Sequence, residues 1–391
     1  MFKIATLNRI SPCGLEEFDK KKYTYGEELE NADAVLVRSA SMHDLELPAS
    51  LKAIARAGAG VNNIPVDQCS ERGIIVFNTP GANANAVKEL VLAGLFLSSR
   101  KIVPGIEWSK TLKGEGDRVQ GLVEKGKGAF TGPEIRGKRL GVIGLGAIGV
   151  LVANTAKDLG MKVYGYDPYL SVDAAWGLSR SIIHANSLKE IYSECDYISI
   201  HVPLNKETKA MINAEAIALM KDGVRVLNFS RAGLVYDPDM IAALESGKVA
   251  AYVTDFPTDE VIGVEGVTSI PHLGASTPES EDNCATMAVE QLIDYIENGN
   301  IANSVNLPNV TLSRDVSHRI CVIHKNIPNM LTQIAGVVSA QNTNIENMLN
   351  KSKGDYAYTV LDTVQAVREE TAEKIRGIEG VISVRVIAGK W

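Results

Sequence analysis

RLGVIGLGAIGVLVANTAKDLGMKVYGYD, residues 139–167, decides how the rest of the chain is read. Leu140 to Ile143 is an apolar run of strand length, Gly144-x-Gly146-x-x-Gly149 a tight turn, and Ile148, Leu151, Val152, Thr155 and Leu159 recur at helical spacing. Gly160 is placed to end that helix. A second apolar run, Lys162 to Tyr166, closes on Asp167, about 20 residues past the turn. Strand, glycine turn, helix, strand and acid together form a βαβ unit suited to a dinucleotide. The glycines let backbone approach a pyrophosphate at the helix N-terminus, so Gly144, Gly146, Ala147, Ile148 and Gly149 are the expected contacts. Asp167 would accept hydrogen bonds from the adenosine ribose and repel a 2′-phosphate, which selects NAD over NADP.

Outward from this unit the alternation continues. Strands are expected at 196–200, 224–227, 249–254 and 267–270, with helices at 214–220 and 238–245, giving a doubly wound parallel sheet. The later strands end in polar clusters: His201-Val202-Pro203, Asn228-Phe229-Ser230-Arg231, Asp255 and Pro271-His272. These ends share an edge with the glycine turn. Upstream, strand candidates at 2–7, 34–37, 53–57 and 74–76 define a second α/β domain without a glycine fingerprint. Two of its strands run into Arg38 and Arg56, and the loop Gly58-Ala59-Gly60-Val61 can turn backbone N–H groups toward an anion. The turn 78–83 ends in Asn83, and an apolar helix over 84–99 follows. Residues 101–138, rich in glycine and lysine with weak periodicity, read as a connection or an arm to a partner subunit. A long helix over 277–299 would return the chain to the first domain, making that domain discontinuous. Beyond it the order βαββαβ is ferredoxin-like, with sheet edges that invite pairing.

Composition sets outer limits. With 391 residues, 45% hydrophobic, several cores are possible, and a net charge of −7 carries no footprint for nucleic acid or an anionic membrane. The five cysteines are scattered without metal spacing, as in a reduced, cytoplasmic protein, and no metal is expected. No stretch reads as a signal-peptide core or a membrane span.

Oxidising a secondary alcohol needs a base for the hydroxyl proton and a cation to hold a neighbouring carboxylate. His272 is the best base in the sequence, Glu260 and Asp255 are candidate carboxylates to orient it, and Arg231 is the candidate cation. Here NFSRAGLVYD, TDFPTDE and PHLGAS resemble the arginine, glutamate and histidine signatures of the D-isomer-specific 2-hydroxyacid dehydrogenases, and RAGAGVNNI and HVPLNKETK match the same family. The resemblance implies His272 as acid/base, Glu260 as its partner and Arg231 as substrate clamp. Asp255, His201, Pro203 and Thr208 would lie beside the cofactor. Arg38, Arg56, residues 58–61 and Asn83 would lie at the substrate, with Lys127 as a basic residue reaching the substrate phosphate across a subunit interface.

The C-terminal stretch resembles an ACT domain, in which His324, Asn326 and Asn344 would hold an amino-acid effector. The motif normally has glycine where this chain has Asn329, a residue that tolerates left-handed backbone. The expected organisation is a substrate-binding domain over 1–88 and 276–314, an NAD-binding domain over 89–275 and an ACT domain over 315–391. The implied function is NAD-dependent oxidation of 3-phospho-D-glycerate to 3-phosphohydroxypyruvate, the first step toward serine. Serine would act as feedback effector and the chain would form a homodimer or homotetramer. The alternatives are a dehydrogenase for glycerate, lactate or 2-hydroxyglutarate, or a non-catalytic NAD-sensing regulator.

Overall fold

The computed structural model describes residues 1–314 and 318–389. The chain divides into two units, the first formed by residues 1–83 with 278–391 and the second by residues 84–277. The expected boundary at 314/315 abuts residues 315–317, which lie outside the described residues.

In the first unit, strands β1 (Phe2–Thr6), β2 (Tyr23–Gly26), β3 (Ala34–Val37), β4 (Ala53–Arg56) and β5 (Ile75–Phe77) form a parallel sheet ordered β2-β1-β3-β4-β5. Strand β2 escapes the sequence reading because it is four residues long, sits at the edge and buries only Tyr23. Both faces of β3 are buried, as an all-apolar Ala-Val-Leu-Val run requires in a parallel sheet. One face packs on the helix Pro278–Asn298 through Ala285, Ala288, Leu292 and Tyr295.

In the second unit, β6 (Arg139–Ile143), β7 (Lys162–Tyr166), β8 (Ile183–His184), β9 (Tyr197–Ile200), β10 (Val224–Asn228), β11 (Val249–Thr254) and β12 (Val267–Ser269) form a parallel sheet in the order β12-β11-β10-β9-β6-β7-β8. The order reverses between β6 and β9, the position at which open α/β sheets bind ligands beyond their strand ends. The helix Ala84–Ser99 belongs to this unit, packing Val87, Val91 and Leu95 against Val152, Ala156, Leu227 and Phe229. Residues 101–138, expected to be a connection or arm, are largely helical over Ile102–Lys110 and Val119–Gly126, and neither helix buries a residue.

The C-terminal strands β13 (His318–Lys325), β14 (Ile345–Lys353), β15 (Tyr356–Thr363) and β16 (Val381–Ala388) form an antiparallel sheet ordered β14-β15-β13-β16, with helices Met330–Ser339 and Glu369–Arg376 between them. Alternation along β13 sends Ile320 and Val322 toward those helices, while Cys321 and Ile323 join the core of the first unit with Tyr358 and Val360. The last carbonyls of the helix Pro278–Asn298 have no partner within the helix. The C-terminal sheet supplies them: Arg385 Nη2 donates to the Tyr295 and Ile296 carbonyls at 3.2 and 2.9 Å, and Arg319 Nη1 to that of Asn298 at 2.7 Å. The Tyr358 hydroxyl donates to the Gly299 carbonyl at 2.6 Å. Arg319 is fully buried and forks onto Asp362 through Nε and Nη2, at 2.7 and 2.9 Å. Among the described residues no helix is long and apolar enough to cross a membrane.

Candidate active site

The glycine turn leaves β6 and opens the helix Ala147–Asp158. Gly144 has a φ of +90°, and a Cβ there would lie 2.5 Å from the His201 carbonyl; a Cβ on Gly149 would lie 1.9 Å from that of Gly144. Neither position admits a side chain. Gly146 caps the helix in extended conformation without a side-chain cap, and the space beside its Cα is open. The first N–H groups of the helix therefore face open room at a glycine, which fits a pyrophosphate. Asp167 is fixed at the end of β7: its Oδ2 accepts from the Leu145 N–H and its Oδ1 from the Tyr169 N–H, both at 2.8 Å. Each oxygen keeps a lone pair for a ribose hydroxyl.

At the ends of the neighbouring strands the polar clusters are tied together. The His201 ring contacts the Ser199 hydroxyl through Nε2 at 2.8 Å, and its Nδ1 is buried without a partner among the described residues. Burial pushes its pKa down to about 4, so this imidazole stays neutral near pH 7. Thr208 holds the loop that follows, donating to the Pro203 carbonyl at 2.6 Å and accepting from the Asn205 N–H at 2.9 Å. Buried Asn228 bonds both the Arg231 carbonyl and the Ser230 N–H, and Ser230 donates to the Val202 carbonyl. The Arg231 side chain is exposed and gives one Nη1 bond to the Ser230 carbonyl.

Asp255, at the end of β11, is 1% exposed, and neither carboxylate oxygen is paired with a side chain among the described residues. Burial raises its pKa, opposed by the charge of His272, by the backbone N–H groups of Gly274 and of Asp255 itself, and by the charge of Arg231. His272 is exposed and stacks its ring on Phe256, centroids 4.6 Å apart at 49°. Phe256 went unnoticed in the sequence, although it stands between Asp255 and the turn that carries Glu260. Glu260 is exposed on the loop 256–266, and no hydrogen bond joins it to His272 among the described residues. Within this unit the structure therefore places His272 and Arg231 within electrostatic reach of Asp255. Lys127 is exposed and paired with Glu124.

The first unit holds the other expected residues. Asn8, which the sequence did not single out, accepts hydrogen bonds from the N–H groups of Arg38, Ser39 and Ala40 at 2.8 to 3.3 Å. Arg56 Nε donates to the Arg38 carbonyl at 3.1 Å, and its Nη1 would lie 2.0 Å from a Cβ on Gly58, whose φ is +148°. The Gly58 and Ala59 carbonyls are taken by Thr79 N–H and Asn78 Nδ2. The N–H groups of Ala59, Gly60 and Val61 donate to no group among the described residues, as an anion-binding loop requires. Asn83 is half-buried at the end of that segment.

In the C-terminal sheet His324 is buried, with Nδ1 on the Lys325 carbonyl and Nε2 on the Thr359 hydroxyl, both at 2.8 Å. Asn326 and Asn344 are exposed; their amides donate to the Gly354 carbonyl and to Glu346. Asn329 takes the left-handed conformation at φ +69° and precedes the helix Met330–Ser339.

Residues 97–277 match the model of the D-isomer specific 2-hydroxyacid dehydrogenase, NAD binding domain. The chain is 36% identical over 294 residues to D-3-phosphoglycerate dehydrogenase of Methanocaldococcus jannaschii, covering 73% of this chain and 53% of that one. It is 33% identical over 335 residues to D-3-phosphoglycerate dehydrogenase of Bacillus subtilis, covering 80% and 60%. It thus spans between half and three fifths of the length of these relatives. Among solved structures, NAD-bound 3-phosphoglycerate dehydrogenase of Entamoeba histolytica superposes with a TM-score of 0.61 at 26% identity, over 78% of this chain and 98% of that one. D-2-hydroxyisocaproate dehydrogenase, at 22% identity and a TM-score of 0.63, shares the fold. Over residues 97–277 the chain is therefore similar to the NAD-binding domain of the D-isomer-specific 2-hydroxyacid dehydrogenases.

Proposed function

We propose that the chain oxidises 3-phospho-D-glycerate to 3-phosphohydroxypyruvate with NAD. The observation that carries this reading is the unpaired, buried Asp255 carboxylate facing the charges of His272 and Arg231, on the sheet edge that also holds the glycine turn. NAD, held at Gly144, Gly146, Gly149 and Asp167, would supply the acceptor for the hydride on the alcohol carbon. His272 takes the hydroxyl proton, and the fixed negative charge of Asp255 stabilises the imidazolium that results. Phe256 keeps the imidazole in one orientation. Arg231 holds the substrate carboxylate and polarises the reacting oxygen. Glu260 is assigned as the group that orients His272 in the loaded enzyme, since catalytic hydrogen bonds often tighten only there. Arg38 and Arg56 are assigned to the phosphate, and the free N–H groups of residues 59–61 to an anionic group of the substrate.

The relatives named D-3-phosphoglycerate dehydrogenase support the choice of substrate. We further assign the C-terminal βαββαβ sheet as an ACT module, with domains bounded at 88, 275 and 314. Serine would meet Asn326 and Asn344, while His324, with both ring nitrogens engaged inward, would shape the site through Thr359 and the Lys325 carbonyl. A homodimer or homotetramer built through the exposed arm helices, in the cytoplasm, completes the proposal.

The test is NADH formation with 3-phospho-D-glycerate against D-glycerate, each with and without L-serine. Preference for the phosphorylated acid is expected, with suppression by serine. Equal rates on both acids would overturn the substrate assignment, and indifference to serine would overturn the effector assignment. NAD binding without turnover of any 2-hydroxy acid would mark a sensor instead.

A further inference from the structure

Arg38 and Arg56 carry the proposed phosphate site, and Arg38 has a competitor within the fold. Arg38 Nη2 lies 2.8 Å from Glu281 Oε1, the two side chains being 38% and 44% exposed. The arginine's backbone has little freedom: Asn8 binds its N–H, while Arg56 Nε and Asn63 Nδ2 bind its carbonyl. What can move is the guanidinium end, and Glu281 holds it. Glu281 itself stands in the first turn of the helix Pro278–Asn298, where the dipole favours a carboxylate. Glu279 shares that turn and the neighbouring Asp282 is engaged by the Ser11 hydroxyl, while Glu281 is the acid that pairs with Arg38.

We infer that Glu281 is a specificity-determining residue: it occupies Arg38 in the free enzyme and tempers the site's hold on a phosphorylated acid. The inference rests on the reading of Arg38 as a phosphate contact. An incoming phosphate must share or take the guanidinium from Glu281 and then lie beside a carboxylate of like charge. That penalty scales with the product of the charges, so a phosphate dianion meets it in full, whereas the hydroxymethyl end of D-glycerate meets none. Because the pair is partly exposed, the penalty is modest and screened by salt. Glu281 therefore lowers affinity for phosphorylated acids selectively, which keeps binding and release balanced for a dianionic ligand.

The experiment compares the intact wild type with Glu281→Gln and Arg38→Gln. Two quantities are read: KM for 3-phospho-D-glycerate and for D-glycerate, and the dissociation constant of inorganic phosphate by calorimetry. The calorimetric arm stands even if the enzyme oxidises a different acid. Glu281→Gln should lower both the KM for the phosphorylated acid and the phosphate dissociation constant by roughly two- to fivefold. Its kcat should stay within about twofold and its KM for D-glycerate should not change; the gain should shrink as ionic strength rises. A merely structural role would not sort substrates by their phosphate. If Arg38→Gln weakens phosphate binding while Glu281→Gln leaves it unchanged or weaker, the role of Glu281 is refuted and the Arg38 reading survives. If Arg38→Gln changes neither quantity, the Arg38 reading falls and the inference falls with it.

Discussion

A buried carboxylate paired with no side chain destabilises the fold that holds it, and Asp255 is such a group among the described residues. Its pKa is raised, so the native state binds its proton more tightly than the unfolded chain does. The stability linked to that proton is complete at low pH and is lost as pH rises through the raised pKa. Asp255→Asn should therefore raise the melting temperature by a few degrees at pH 8, with the gain vanishing toward pH 4. At the same time kcat should fall at least about tenfold, because the imidazolium of His272 loses its counter-charge. Calorimetric melting beside NADH absorbance reads both, and a variant that is neither more stable nor slower would sink the assignment. His201 carries the opposite sign. Its pKa is depressed to about 4 by burial, so the unfolded chain takes up a proton below about 6.5 that the native state refuses until pH 4. Its contribution is full above pH 6.5 and declines as pH falls toward 4, by at most about 3 kcal/mol. His201→Asn should flatten the stability profile between pH 6.5 and 4 in urea titrations; an unaltered slope would show that the ring is not what sets it.

Among the elements, the glycine turn is the one whose geometry tolerates least. A Cβ at Gly149 would sit 1.9 Å from the Gly144 carbonyl, so Gly149→Ala must push the start of the helix off the turn. NAD affinity should drop by about tenfold or more by fluorescence titration, while the sheet behind it stays folded by circular dichroism. This element was legible in the sequence because everything it needs lies within 29 consecutive residues, and so were the apolar strands and the helices over 84–99 and 278–298. What was not legible depended on partners far away in the chain. Strand β2 is short, mostly exposed and meaningful only beside β1. Asn8 matters because residues 38–40 fold onto it, and Glu281 matters because Arg38 lies 2.8 Å from it across more than half the sequence. His272, Arg231 and Asp255 were each readable as the polar end of a strand, yet the contact of Phe256 with the imidazole belongs to the loops. The motif around His324 suggested a ligand-facing ring, whereas local alternation along β13 turns that ring inward onto Thr359.

In the molecule as a whole, the C-terminal sheet shares a core with the first unit, and Arg319 is the residue that joins them most completely. Removing its charge leaves Asp362 buried and unpaired and strips carbonyls at Asn298, Leu312 and Ser313 of their donor. Arg319→Met should cost about 3–5 kcal/mol by urea denaturation, with Arg319→Met/Asp362→Leu recovering part of it. Equal stability of wild type and single variant would mean that the two do not fold as one. The same joint has a consequence for protein engineering. Residues 318–389 are not a detachable cassette, because the arginines that finish the helix Pro278–Asn298 reside in them and the surface that buries Cys321 and Tyr358 resides outside them. A transplant of this sheet onto another chain must bring the last two turns of that helix along, or it will arrive with one face bare.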